Sequence, residues 1–77
     1  MKEFVEYLTK NIVQHPEEVD VKQVDSDNTT IYELSVHDED MGRVIGKKGQ
    51  TANAIRTLLT AASAKEGGKR AILEINE

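Results

Sequence analysis

Gly42-Arg43-Val44-Ile45-Gly46-Lys47-Lys48-Gly49-Gln50-Thr51 limits the possible folds more than any other stretch. Apolar residues lead in, two glycines bracket two lysines, and a helix-forming run follows. A Gly-Lys-Lys-Gly bend between two helices cannot pack a core. Its glycines tolerate positive φ and let another backbone come close, and its lysines aim charge at whatever approaches. The amides opening the next helix add partial positive charge and free donors. These properties suit a device that holds a phosphate backbone without reading its sequence.

The elements around the bend follow from periodicity. Phe4, Val5, Leu8, Ile12 and Val13 recur at helical spacing and predict an amphipathic helix over 2–14. His15-Pro16 stops it, because the residue before proline is pushed out of the α region. His15 reads as a solvent-exposed helix-end residue with no partner metal ligands in view. Val19, Val21 and Val24 predict a strand over 19–25, with a slip at Lys22-Gln23 that leaves room for a bulge or an early end. Asp25-Ser26-Asp27-Asn28 is a turn by composition. Residues 30–36 form the clearest strand, with Thr30, Tyr32, Leu34 and Val36 on one face. His37 is its end.

Asp38-Glu39-Asp40 precedes a short helix over about Met41 to Ile45, with Asp40 as N-cap. Gly42 there would allow close packing. After the bend the longest helix spans about Gln50 to Lys65, with Ala52, Ile55, Leu59 and Ala62 as its core stripe. Its apolar arc is wider than one sheet needs. Ala54, Leu58 and Ala61 lie on the flank and suit a second subunit. Gly67-Gly68 ends this helix through a left-handed cap. Residues 69–75 close the chain as a strand, with Ala71, Leu73 and Ile75 inward. The expected fold is α+β, in the order α-β-β-α-α-β, with a three-stranded sheet and helices on one face.

Val44-Ile45-Gly46-Lys47-Lys48-Gly49-Gln50-Thr51, followed by Ala54-Ile55-Arg56, resembles the signature of the KH domain. The element order resembles the type II version. Length and layout resemble the small single-KH RNA-binding proteins of bacteria over nearly the whole of residues 1–77. The resemblance implies a module for about four nucleotides of single-stranded RNA, whose GxxG loop clamps the backbone beside an apolar groove for the bases. The implied RNA-binding residues are Gly42, Arg43, Ile45, Gly46, Lys47, Lys48, Gly49, Gln50 and Thr51. The implied groove walls are Ile45 and the edge of the strand from Tyr32 to Val36. It also implies pairing as a homodimer, and with a larger KH-containing protein that carries a further nucleic-acid-binding domain. A link to RNA regulation and to cell growth or division comes with it.

Charge distribution fits that expectation better than net charge. The chain is −4 overall, but residues 1–40 carry −8 and residues 41–77 carry +4. A bound strand feels only the local field, which decays within about 8–10 Å at physiological salt. Cysteine is absent, so no disulfide or thiolate metal site can form. No run is long and apolar enough to span a membrane, and the acidic start does not resemble a signal peptide, so the expected compartment is the cytoplasm. An enzyme is not expected. Gly42 to Lys47 is one residue short of a P-loop, and Lys48 stands where Ser or Thr would hold magnesium. Ser26, Ser35 and Ser63 have no histidine or acid in a recognisable arrangement. No cofactor or metal is implied.

Overall fold

Two strand pairings of opposite sense set the frame of the computed structural model, which describes residues 2–65 and 69–76. Its elements are α1 (Lys2–Lys10), β1 (Asp20–Asp25), β2 (Thr29–Ser35), α2 (Met41–Ile45), α3 (Gln50–Lys65) and β3 (Arg70–Ile75). The sheet order is β1-β2-β3. β1 and β2 form an antiparallel hairpin, with Val21 opposite Leu34. β2 and β3 are parallel, with Tyr32 opposite Leu73. A parallel pair needs a crossover connection, and α2, the glycine bend and α3 supply it. The α+β expectation and its order of elements hold.

The core forms where one sheet face meets the helices. Val5, Val21, Leu34, Val44 and Leu59 are fully buried, joined by Tyr32, Ile55 and Leu73. Burial of each such large aliphatic side chain contributes about 1.5–3 kcal/mol. α1 packs on β1, α3 on β3 and α2 on α3. Ala52 is buried at the start of α3, and Ala62 is half-buried at its other end. The opposite sheet face carries Val24, Ile31 and Ile72 in one cross-strand row.

Several elements differ from the sequence expectation. α1 ends at Lys10, not at residue 14. Thr9, fully buried, donates its hydroxyl to Val5 O at 2.8 Å, and its own carbonyl accepts from both Ile12 N and Val13 N. Asn11 Nδ2 takes the Tyr7 carbonyl. The chain therefore tightens into a turn, and Ile12 and Val13 still pack against the core. β1 carries no bulge. Its ladder to β2 runs in unbroken register from Asp20 to Asp25. Val24 instead lies on the opposite face from Val21 and is 47% exposed. The hairpin turn closes as expected, through Ser26 N to Thr29 O at 2.8 Å.

Asp40 stands at the expected N-cap position of α2, but its side chain does not cap the helix. Its fully buried carboxylate instead accepts Gln14 N at 3.0 Å and His15 N at 2.9 Å, binding the end of the α1 turn to the start of α2. His37 caps the 3-10 turn Asp38–Asp40 that leads into α2, its Nδ1 accepting Glu39 N at 3.0 Å. Gly42 meets no close neighbour. A Cβ built there finds nothing within 4 Å. The expected cap at Gly67-Gly68 lies outside the described residues.

Candidate nucleic-acid interface

The bend at residues 46–49 follows from backbone geometry at three successive points. Gly46 closes α2 by donating its amide to Gly42 O at 2.8 Å. It then takes φ +77°, ψ 171°, a conformation that side chains rarely adopt. A Cβ there would also lie 2.8 Å from Thr51 N, so space and φ both demand glycine. Lys47–Gly49 forms one 3-10 turn. Lys48 within it sits at φ 56°, ψ 26°, the one non-glycine residue of positive φ among those described. Such a left-handed residue costs about 1–2 kcal/mol. Gly49, at φ +76°, has open space beside it, with only Asn53 Nδ2 at 3.9 Å.

This geometry turns the lysines outward. Lys47 and Lys48 are exposed, and among the described residues neither makes an ion pair. Gly46 and Gly49 are half-exposed. The bend is therefore open to an approaching chain. Two of its amides are already committed, Gly46 N to Gly42 O and Gly49 N to Gly46 O at 3.1 Å, and so is the first amide of α3, Gln50 N, to Lys47 O. The ammonium groups, more than these amides, are left to meet an anion. That narrows the expectation that the opening amides of the next helix would donate freely.

The remaining candidates divide into two groups. Arg43 is exposed one turn before the bend, its Nε 4.0 Å from Asp40 Oδ1. Gly42 and Gln50 are exposed, while Ile45 and Thr51 are half-buried beside the bend. The proposed groove wall on β2 is corrected. β2 is the central strand and has no free edge, because β1 and β3 flank it. Tyr32 is 4% exposed and belongs to the core, where it has no face to offer a base. Two shallow concavities lie elsewhere, one along the outer side of α3 (Asn53, Arg56, Thr57, Thr60, Ala61) and one between α3 and β3.

On that outer side Ala54, Leu58 and Ala61 are all exposed, with Leu58 at 47%. Ala54 and Ala61, four residues before and three after Leu58, lie on the same side of the helix and are small. Arg56 lines the outer concavity together with Ala61 and donates Nη1 to Asn53 Oδ1 at 3.3 Å.

Asp40 controls the electrostatics at the near end of α2. Burial raises its pKa, but the Gln14 and His15 amides and the fields of His15 and His37 outweigh this and hold it below its ordinary value. The two imidazoles were not expected together. His15 is half-buried rather than exposed, and its ring stacks on that of His37 with centroids 4.1 Å apart. Nothing in the local sequence signals that contact, which spans 22 positions.

Comparison with known proteins bears on the whole arrangement. The family model described as "KhpA/KhpB, KH domain" matches residues 2–75. The chain belongs to the KhpA/KhpB KH-domain family. RNA-binding protein KhpA of Chlamydia muridarum is 51% identical over 77 residues, spanning all of this chain and 97% of that protein. The protein of the same name from Clostridium perfringens is 49% identical over 75 residues, covering 97% of this chain and 99% of its own length. That of Listeria monocytogenes is 47% identical over the full length of both. Among solved structures, a crystal structure of Aquifex aeolicus Era bound to GDP.AlF4- matches with a TM-score of 0.74. The match covers 96% of this chain and 29% of that one at 18% identity, a likeness of fold. The KhpA/KhpB match thus takes in every element from α1 to β3, with the bend at residues 46–49 inside it.

Proposed function

We propose that this chain is a cytoplasmic single-stranded RNA-binding module that grips the phosphate backbone at Gly46-Lys47-Lys48-Gly49. Arg43, Gln50 and Thr51 would stand beside the clamp, and Gly42 and Ile45 would border the path of the bases. The observation that carries this reading is the open bend itself. Two lysines without ion-pair partners among the described residues project from a turn that only glycine at position 46 permits. The name RNA-binding protein, borne by relatives about half identical over the whole chain, supports it.

Three cationic groups hold one copy weakly, and the acidic first half discourages non-specific contact. A dimer through Ala54, Leu58 and Ala61 would bring two clamps to one strand and raise avidity without new contacts. Residues 1–77 would act as one KH domain, paired with itself or with a larger KH protein of the KhpB type, in RNA regulation linked to growth or division. The second reading keeps the partner and drops the RNA: the chain serves mainly as a dimerisation partner. The exposed Leu58 patch and the net charge of −4 favour it.

One experiment separates the two readings. Binding of a short single-stranded RNA is compared between the wild type and Lys47→Asp/Lys48→Asp, with circular dichroism to verify folding. Loss of RNA by a folded variant supports the clamp. Unchanged affinity removes it and leaves the partner reading.

A further inference from the structure

His15 and His37 come from different segments, yet their imidazoles share a carboxylate oxygen. His15 Nε2 lies 3.7 Å and His37 Nδ1 3.8 Å from Glu39 Oε1. The three side chains offer donor atoms all within 4.8 Å of one another. An ion seated among three donors so spaced would sit about 2.2–2.5 Å from each, near the zinc–nitrogen and zinc–oxygen lengths of about 2.0–2.2 Å.

The outward nitrogens of both rings also have carboxylates. His15 Nδ1 lies 3.6 Å from Glu17 Oε1, and His37 Nε2 lies 3.6 Å from Glu18 Oε2. A metal-bound imidazole ordinarily donates its other N–H to such a group, which orients the ring and raises its basicity. His37 already carries its lone pair on the inward nitrogen, since Nδ1 accepts Glu39 N at 3.0 Å. Its proton is therefore on Nε2, towards Glu18.

We propose that His15 Nε2, His37 Nδ1 and Glu39 Oε1 form a site for a divalent transition-metal ion of the zinc type, with Glu17 and Glu18 orienting the two imidazoles. Two nitrogen donors select zinc, cobalt, nickel or copper over magnesium or calcium. The surrounding field suits a cation, because Glu17, Glu18 and Glu39 stand against the two imidazoles and the buried Asp40 lies behind them, its carboxylate 4.0 Å from Arg43 Nε. Binding exchanges the ring stack for convergence. The rings, 24° from parallel, pivot until both lone pairs point at the ion, and the metal replaces Glu39 N–H at His37 Nδ1. The ion would then clip the segment after α1 to the turn that leads into α2.

The site is independent of the RNA reading and is tested without RNA. Untagged full-length protein is titrated with Co2+ and Zn2+, following visible cobalt bands, thermal midpoint and the imidazole nitrogen shifts by NMR. Saturable one-to-one binding is expected, with coordination shifts at His15 Nε2 and His37 Nδ1 and no response to Mg2+. His15→Ala should abolish it. Among the described residues that side chain makes no hydrogen bond, so the variant keeps its fold even where His37→Ala loses a cap. Glu17→Gln/Glu18→Gln should weaken binding about tenfold or more. No saturable binding, undiminished binding by His15→Ala, or shifts at the opposite nitrogens would each overturn the assignment.

Discussion

Asp40 Oδ2 accepts the backbone amide of His15 at 2.9 Å across 25 positions of sequence. The same carboxylate takes Gln14 N, so one buried side chain fixes the end of the first turn system against the start of α2. Its pKa is held below the ordinary 3.8. The unfolded chain therefore binds the proton more readily than the folded one. The stability that Asp40 supplies is complete above about pH 4 and is lost as pH falls through the lower folded value. Asp40→Asn should lower the urea midpoint at pH 7, and the gap from wild type should narrow in acid below pH 4. Parallel urea curves from pH 7 to pH 2 measure it.

The two bend glycines should respond unequally to a methyl group. Gly46→Ala meets both a left-handed backbone and the Thr51 amide. It should cost about 2–5 kcal/mol, the sum of strain and overpacking. Gly49→Ala meets only the backbone cost and should lose about 1–2 kcal/mol. Chemical denaturation of both variants supplies the comparison.

Salt dependence should count the clamp's charges. Each phosphate neutralised on a single strand contributes about −0.7 to the slope of log K against log salt, so Arg43, Lys47 and Lys48 together give about −2. Lys47→Ala/Lys48→Ala should flatten the slope by about 1.4. Fluorescence anisotropy at several salt concentrations reads it directly.

Adjacent leucines on α3 should behave oppositely. Leu59 is fully buried and Leu58 is 47% exposed. Leu59→Ala should destabilise by about 3–5 kcal/mol through lost burial and a cavity, a large share of the roughly 4–12 kcal/mol such a chain has. Leu58→Asp should leave the fold intact and lower the molar mass in solution from dimer to monomer. Light scattering on the wild type and Leu58→Asp tests this, and a monomeric wild type would remove the dimer.

The sequence revealed elements wherever period and punctuation agreed. α2 and α3 have the expected bounds, because Gly46 and Gly49 punctuate them and Ile55 and Leu59 recur on one face. The hairpin was legible from Asp25 to Asn28, and β2 from strict alternation. What failed was whatever depends on distant partners. Asp40 looked like an N-cap because its neighbours are a helix start, yet the amides that claim it are at Gln14 and His15. α1 looked longer because Ile12 and Val13 keep helical spacing, while the buried Thr9, a polar residue in an apolar stripe, gave no hint of the turn. β2 looked like an edge because pairing order is not written in any one strand.

The site divides in the same way. Lys47, Lys48 and both glycines are local features and were legible together. The left-handed backbone at Lys48 was not, since lysine carries no mark of it. The meeting of His15 with His37 was invisible for the same reason as Asp40: both belong to contacts closed by the fold.

The parallel pairing of β2 with β3 has a consequence for how the chain assembles. The hairpin of β1 and β2 can form as soon as residue 35 exists, but β3 cannot pair with β2 until α2 and α3 have been made between them. Long-range closure of that kind is slow relative to a local hairpin. Of these elements β3 is thus the last to close, and until it does the helix that follows the lysine bend has only α1, α2 and the hairpin to pack against.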